Sequence, residues 1–120
     1  MKYISIDGDD VGRKITSFFL SNSSEQLSTL SLDLQLSTTK IATLLREKKF
    51  TILFCAADGV VAFVDYEINF DYLFEAINKL APEEITFSAG VGNSLREAYI
   101  ALISAKSNGK NCLHFYTNLN

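Results

Sequence analysis

Four aspartates in two short stretches of the sequence could hold divalent cations. Asp7, Asp9 and Asp10 stand in one run directly after a strand-like segment, and Asp58 stands in a second stretch near the middle of the chain. Carboxylates crowded in this way repel one another unless they are solvated, lie at a helix N-terminus or surround a cation. Carboxylates that hold Mg²⁺ or Mn²⁺ can support phosphoryl transfer, because the metal activates the attacking hydroxyl and stabilises the leaving oxygen.

Each aspartate also has a simpler interpretation. The run from Asp7 to Asp10 could be an ordinary turn followed by a helix cap, and Asp58 could be the residue that an Asp-Gly hairpin turn requires. Taken singly, these structural roles are the better explanation. The metal site is favoured by the joint placement of the two stretches, since both end strands that are expected to pair in one sheet.

Residues that could bind a nucleotide surround these aspartates. Gly8 lets the backbone approach a triphosphate closely, and the backbone N–H groups of Val11 and Gly12, at the start of a helix, can bind its oxygens. The small residues beside Asp58 leave room for a base or a sugar. These small residues are Ala56, Ala57 and Gly59.

Positive charge for the phosphates could come from the end of the last helix. Lys106 and Lys110 flank the turn that follows it. Their simpler interpretation is a solvated helix end, where a basic side chain is favourable, and the spacing alone favours that interpretation. Arg13 and Lys14 could act in the same way from the first helix. His114 is a lone histidine in a strand, for which a packed or surface role is expected.

Periodic apolar residues predict five strands and four helices. The strands are predicted over 2–6, 50–55, 60–64, 85–89 and 112–116, and the helices over 11–20, 33–48, 72–80 and 95–106. We expect helix caps at Ser23, Asp71 and Ser94, a kink or break near 37–39 and a β-hairpin turn at 56–59. This order predicts an α+β fold of the ferredoxin-like or polymerase-palm type, with helices packed on a mainly antiparallel sheet. In that topology Asp7 would come close to Asp58.

The composition indicates a packed protein without a broad basic surface. The chain has 120 residues, 48% of them hydrophobic, and a net charge of −3. These values predict one domain over residues 1–120 and argue against general nucleic-acid binding. No apolar run is long enough for membrane insertion. The segment between Lys2 and Asp7 is too short to be the apolar segment of a signal peptide. We therefore expect a cytoplasmic protein, with Cys55 and Cys112 as small buried thiols.

Four motifs are spread over nearly the whole chain. They are Ile-Asp-Gly-Asp-Asp-Val-Gly (6–12), Ala-Ala-Asp-Gly (56–59), Ser-Ala-Gly-Val-Gly (88–92) and Ala-Lys-Ser-Asn-Gly-Lys-Asn (105–111). Their order resembles the minimal CRISPR polymerase domain, a family similar to the palm of type III CRISPR large subunits and to GGDEF diguanylate cyclases. The resemblance implies a nucleotidyl cyclase that joins nucleoside triphosphates, with ATP preferred, into a cyclic dinucleotide or oligonucleotide signal in antiviral defence. It also implies a downstream effector that reads the signal.

The resemblance further implies roles for individual residues. The catalytic and metal-binding residues would be Asp7 and Asp58, with the carbonyl of Gly8 beside them and Asp9 or Asp10 assisting, and the metal would be Mg²⁺ or Mn²⁺. The residues that contact phosphate would be Lys106 and Lys110.

The hairpin departs from the family pattern. Related cyclases carry Gly-Gly-Asp-Asp or Gly-Gly-Asp-Glu-Phe, whereas here both glycines are alanine and Gly59 replaces the second acid. Asp9 or Asp10 could supply the missing ligand. Closing a ring from two nucleotides needs two sites that face each other, or one site that binds a linear intermediate twice, so we expect a homodimer. Two alternatives stay open: a nucleotide-binding sensor without turnover, and an enzyme similar to GTP cyclohydrolase that opens a purine ring.

Overall fold

A five-stranded sheet with helices on both faces makes up the computed structural model, which describes residues 1–119. The strands are β1 (Lys2–Gly8), β2 (Thr51–Ala56), β3 (Gly59–Val64), β4 (Phe87–Gly92) and β5 (Leu113–Phe115). The helices are α1 (Val11–Leu20), α2 (Ser24–Glu47), α3 (Phe70–Asn78) and α4 (Leu95–Ser107), and a short 3₁₀ turn spans Tyr116–Asn118.

The strands are arranged in the order β2-β3-β1-β4-β5. The pairs β2–β3, β3–β1 and β1–β4 are antiparallel, and β4–β5 is parallel. The predicted α+β fold with a mainly antiparallel sheet is thus confirmed. β1 is the central strand, and its register places Asp7 opposite Gly59 of β3 and Ser88 of β4.

The two faces of β1 meet different partners, because successive side chains of a strand point to opposite faces. Ile4 and Ile6 are fully buried in the main core together with Leu45 of α2 and Leu73 of α3. Burial of such side chains stabilises the fold by about 1.5–3 kcal/mol each. On the other face of β1, which includes the buried Ser5, α4 packs against the strand.

Two glycines let α4 lie directly on the sheet. A Cβ atom on Gly90 would lie 2.1 Å from the backbone nitrogen of Leu102, and one on Gly92 would lie 2.4 Å from Cβ of Glu97. The expected end of the fourth strand at Ala89 is therefore wrong, since β4 continues to Gly92. Glycine in this strand marks a close approach of another backbone and does not break the strand.

The structure also corrects the expectations for α2. This helix runs without a break from Ser24 to Glu47, so the predicted interruption near 37–39 is absent from it. Thr38 fits inside the helix because its hydroxyl donates to the carbonyl of Leu34 at 2.9 Å. Ser23 is the N-cap residue of α2, as predicted, but its side chain makes no capping hydrogen bond, so the predicted capping box is wrong.

The other two expected helix caps have different outcomes. Asn69, and not Asp71, caps α3 by accepting a hydrogen bond from the backbone N–H of Tyr72, so the helix begins two residues earlier than predicted. Ser94 caps α4 as predicted, accepting from the N–H of Glu97 at 3.1 Å. A side-chain acceptor at this position satisfies one of the unpaired N–H groups of the first turn.

The two cysteines lie in different surroundings. Cys55 is exposed on the edge strand β2, so its expected burial is wrong, and Cys112 is half-buried beside Ala105. Both thiols are free. Among the helices of residues 1–119, none has both the length and the apolar character that crossing a membrane requires.

Candidate active site

The C-terminal end of β1 and the turn between β2 and β3 form one corner of the sheet. Ala57 and Asp58 are the two residues of that turn, and the N–H of Gly8 donates to the carbonyl of Asp58 at 3.0 Å. A Cβ atom on Gly8 would lie 3.2 Å from Oδ2 of Asp58, and one on Gly59 would lie 3.4 Å from Oδ1 of Asp7. The two glycines therefore leave the space in which the carboxylates of Asp7 and Asp58 come together.

The charge on Asp7 is disfavoured in this corner. Partial burial raises the pKa of its carboxyl, and the negative charge of Asp58 raises it further, whereas Lys106 lowers it in part. Burial disfavours the ionised form, and a neighbouring like charge does the same. A cation between Asp7 and Asp58 would offset both effects.

The ammonium group of Lys106 lies against three oxygens of this corner. Its Nζ is 2.8 Å from the carbonyl oxygen of Gly8, 3.2 Å from Oδ2 of Asp7 and 3.2 Å from Oδ1 of Asp9. Burial opposes the charge of Lys106, but the two carboxylates outweigh this effect and raise its pKa. The corner is thus a set of oxygens arranged around a positive charge.

Asp9 is engaged by the protein itself. Asp9 is 4% exposed, and its side chain accepts from Thr86 Oγ1 at 2.6 Å, from Ser88 Oγ at 2.8 Å and from the backbone N–H of Asn111 at 3.0 Å. Burial alone would raise its pKa, but these hydrogen bonds and the one from Lys106 together lower it. Asp9 therefore fastens the end of β1 to β4 and to the loop before β5.

Sequence reasoning missed the partners of Asp9. Thr86 and Ser88 stand two positions apart in the predicted strand 85–89, and this period of two could have indicated that they share one face. Asn111 donates through its backbone, which its residue type does not reveal.

Asp10 and Lys110 form the exposed part of the corner. Asp10 stands at the start of α1 with a φ of 58°, and its Oδ1 lies 2.6 Å from Nζ of Lys110. This contact lowers the pKa of Asp10. Because the pair is solvated, its carboxylate and its ammonium group can exchange partners readily.

A cavity of about 260 Å³ opens beside Asp58, between α1, α2 and the hairpin turn. Its walls are mainly apolar, and Ser31 and Gln35 are polar residues that line it. Val11 at the start of α1 lines its opposite side. A larger cleft of about 410 Å³ lies between α1, α2 and residues 82–85, and its lining includes neither Asp7 nor Asp58.

The acidic corner suits a metal that shares its ligands with a substrate. Within residues 1–119 there is no group of three or more His, Cys, Asp or Glu side chains that could hold a metal ion. The corner offers the carboxylates of Asp7 and Asp58 and the carbonyl of Gly8. Mg²⁺ is usually bound by one or two carboxylates, with substrate phosphates and water completing its octahedral shell. The residues present therefore fit a divalent cation that arrives with a phosphate ligand.

Two solved structures share this fold. The active GGEEF domain of a diguanylate cyclase from Vibrio cholerae is 18% identical, has a TM-score of 0.68, and the match covers 96% of this chain and 81% of that one. The GGDEF domain of DgcB from Caulobacter crescentus, in complex with c-di-GMP, is 12% identical, also has a TM-score of 0.68, and the match covers 98% and 78%. At this identity the likeness establishes the palm fold.

The sequence comparisons give the family. None of the curated proteins matches the chain significantly. The sequence profile of mCpol, the minimal CRISPR polymerase domain, matches residues 3–116, which is nearly the whole chain. The four motifs of the sequence and the palm fold of the structure agree with this match. The chain therefore belongs to the family of minimal CRISPR polymerase domains.

Proposed function

We propose that this chain is a metal-dependent nucleotidyl cyclase that joins nucleoside triphosphates, with ATP preferred, into a cyclic dinucleotide or oligonucleotide. The observation that carries the proposal is the approach of Asp7 and Asp58 at one corner of the sheet, with the ammonium group of Lys106 3.2 Å from Asp7. Membership of a polymerase family and the fold that the chain shares with diguanylate cyclase domains support it.

The acidic corner would hold Mg²⁺ or Mn²⁺. Asp7 and Asp58 would bind the metal through their carboxylates and Gly8 through its carbonyl, and Asp10 is close enough along the chain to assist. A bound divalent cation supplies two effects, activation of the attacking hydroxyl and stabilisation of the leaving pyrophosphate. The raised pKa of Asp7 supports this assignment, since a cation would offset both the burial and the repulsion by Asp58 that raise it.

The basic residues and the start of α1 would bind the triphosphate. The first N–H groups of a helix have no partner within the helix and point outward, so those of Val11 and Gly12 can bind phosphate oxygens. When the metal binds, the ammonium group of Lys106 would move away from the carboxylates and contact the phosphates instead. Lys110, paired with exposed Asp10, would act beside it.

The cavity beside Asp58 would hold the base. Its apolar walls suit the faces of a purine, and the side chains of Ser31 and Gln35 can hydrogen-bond to a base edge. The cyclic product would act as a signal in antiviral defence and would need an effector that recognises it. Family membership is the support for both of these roles.

Product analysis tests the proposal. Pure protein is incubated with each of the four nucleoside triphosphates and Mg²⁺ or Mn²⁺, and the products are separated by chromatography. We expect pyrophosphate and a cyclic product, foremost from ATP. Asp7→Asn and Asp58→Asn should lower the rate by about 100-fold or more, because each removes a metal ligand. Asp65→Asn, at an exposed acid just after β3, makes the same charge change away from the corner and should leave the rate unchanged.

The other outcomes identify the alternatives. Binding of ATP without any product would indicate a sensor, and a change in the ultraviolet absorbance of the base would indicate a cyclohydrolase. With the protein saturated by a non-hydrolysable ATP analogue, millimolar Mn²⁺ should raise the melting temperature of the wild type but not of Asp58→Asn. If Mn²⁺ stabilises both proteins equally, Asp58 does not bind the metal.

A further inference from the structure

The ammonium group of Lys106 holds the same oxygens that the proposed function assigns to a metal. Its Nζ lies 2.8 Å from the carbonyl oxygen of Gly8 and 3.2 Å from Oδ2 of Asp7. A third contact, also at 3.2 Å, is with Oδ1 of Asp9. Two of the three groups that would bind a divalent cation are therefore in contact with a cation that belongs to the chain itself.

The packing of α4 on the sheet determines where this cation lies. Lys106 stands in the last turn of α4, and the backbone of that helix lies directly on β4 at Gly90 and Gly92. The side chain thus starts from a rigid element, whereas its end is a point charge on a flexible four-carbon stem. The side chain is 27% exposed, so its end can move toward solvent while α4 stays in place.

A divalent cation and the ammonium group compete for these oxygens. Mg²⁺ binds oxygen at about 2.1 Å, so a metal on the carbonyl of Gly8 would lie within about 5 Å of Nζ if Lys106 kept its position. At about 5 Å, the repulsion between a double and a single positive charge weakens metal binding by about 10-fold or more, even with the dielectric constant of bulk water. A metal therefore binds with full affinity only after the ammonium group has moved.

The rest of the corner stays intact when Lys106 moves. Asp9 keeps three of its four donors, two hydroxyls and one backbone N–H. Asp7 and Gly8 exchange the ammonium group for the metal. The ammonium group needs a new anionic partner, and phosphate oxygens are strong acceptors for it. A triphosphate that arrives with the metal supplies such oxygens.

We infer that Lys106 is an internal cation that blocks metal binding until a triphosphate draws its ammonium group away. The inference rests on the proposed function for the identity of the triphosphate site and adds the regulation of that site. Metal binding without nucleotide is weak, and metal and triphosphate strengthen each other's binding by the same factor. When the phosphates leave, the ammonium group returns to Asp7 and Gly8. Lys106 is thus a positioning residue for the metal in addition to its contact with phosphate.

Metal binding without nucleotide tests the inference. Lys106→Met keeps an unbranched side chain and removes the charge, so this variant should bind Mn²⁺ at least about 10-fold more tightly than the wild type. Lys14→Met is the matched control, because Nζ of Lys14 lies 3.9 Å from Glu84 and not against the corner. It should change the affinity for Mn²⁺ by less than about 2-fold, since salt screens distant charges. Adding Asp58→Asn to Lys106→Met should abolish the gain, because it removes a ligand of the corner.

The electron paramagnetic resonance signal of free Mn²⁺ measures this binding, and circular dichroism verifies that each variant folds. Lys106→Gln is a second variant, which removes the charge and keeps a polar end. The coupling to nucleotide gives another readout, in which a fluorescent non-hydrolysable ATP analogue is titrated with and without saturating Mn²⁺. The factor by which Mn²⁺ tightens binding of the analogue should be at least about 10-fold smaller in Lys106→Met than in the wild type.

The inference expects tighter Mn²⁺ binding by both variants of Lys106 and loss of this gain with Asp58→Asn. Equal affinities of the wild type and the two variants would overturn it, and so would a gain that persists with Asp58→Asn. If the variants behave as expected but the wild type makes no product from any triphosphate, Lys106 controls the metal site and the proposed function is wrong. If the wild type makes a cyclic product but Lys106→Met leaves the affinity for Mn²⁺ unchanged, the proposed function stands and this inference fails.

Discussion

The same substitution should have very different effects on stability at two aspartates that stand two positions apart. Asp9 is buried and accepts hydrogen bonds from four donors, whereas Asp7 lies half-buried beside another carboxylate. Replacement of either by asparagine preserves the shape of the side chain and removes its charge. We expect Asp9→Asn to destabilise the protein strongly and Asp7→Asn to leave its stability nearly unchanged.

The magnitude for Asp9→Asn follows from its hydrogen bonds. Oδ1 accepts from Ser88 and Lys106, and Oδ2 accepts from Thr86 and the N–H of Asn111. An asparagine amide would turn its NH₂ group toward one of these pairs. The hydroxyls can rotate and accept, but neither an ammonium group nor a backbone N–H can, so one donor stays unsatisfied in either orientation. One lost bond to a charged group and one unsatisfied donor cost about 3–5 kcal/mol.

Asp7→Asn removes a charge that the fold disfavours. The carboxylate loses its contact with Lys106, but that ion pair is partly solvated and contributes only about 0–1 kcal/mol. The repulsion by Asp58 disappears at the same time. The free energy of unfolding of this variant should therefore stay within about 1 kcal/mol of the wild type.

The pH dependence of stability gives a second test. The pKa of Asp9 is lowered in the folded state, so its contribution to stability is present above its unfolded pKa of about 3.9 and is lost as the pH falls through the folded value. The difference in the free energy of unfolding between the wild type and Asp9→Asn should thus become smaller below about pH 4. The pKa of Asp7 is raised, so its contribution is present below about pH 3.9 and is lost as the pH rises through the folded value. As the pH rises through that value, the stability of Asp7→Asn should increase relative to that of the wild type.

Urea unfolding and thermal melts of metal-free protein measure both variants. At pH 7, a loss of 3 kcal/mol or more by Asp9→Asn corresponds to a fall in Tm of about 12 °C or more for a chain of this length. A melting temperature within about 3 °C of the wild type would refute the assignment of Asp9 as the residue that fastens β1 to β4. Equal losses by Asp7→Asn and Asp9→Asn would refute the distinction between the two carboxylates.

Two further predictions concern backbone conformation and packing, and urea unfolding measures both. Ala57 has a φ of 52°, which costs a residue other than glycine about 1–2 kcal/mol, so Ala57→Gly should stabilise the protein by about 0.5–1 kcal/mol, whereas Ala56→Gly should destabilise it by a similar amount. A loss of stability from Ala57→Gly would contradict this geometry of the turn. Gly90→Ala places a Cβ atom 2.1 Å from the backbone of α4 and should cost at least about 3 kcal/mol, whereas Gly12→Ala meets nothing within 4 Å and should be neutral or stabilising by up to about 1 kcal/mol. A Gly90→Ala variant as stable as wild type would mean that α4 does not lie directly on β4.

The local features of the fold could be predicted from the sequence. The hairpin turn at 56–59 is encoded by small residues and an Asp-Gly pair between two apolar runs, and Ser94 begins α4 through a contact within its own first turn. Such interactions span a few residues, so the sequence pattern contains them. The order of strands and helices then predicted the palm architecture, because few topologies accommodate that order.

Distant contacts decided what the sequence left open. Glycines such as Gly90 and Gly92 are typical of a turn, yet both lie inside β4. They are glycines because α4 occupies the space where side chains would stand. Cys55 belongs to an apolar run that predicts burial, but β2 is an edge strand and leaves it exposed. Edge position and helix approach are properties of the assembled sheet.

By itself, the sequence determined that acidic residues end the first strand and occupy the hairpin, and that these two stretches belong to one palm. Only the tertiary structure distinguished the three acids of the first stretch, because their side-chain partners lie far along the chain. Asp9 accepts hydrogen bonds from donors 77, 79 and 102 residues away, so it is buried and holds β1 to β4 and to the loop before β5. Asp7 faces Asp58, and Asp10 faces Lys110. The role of a carboxylate depends on which donors and charges surround it, and folding brings those groups to it.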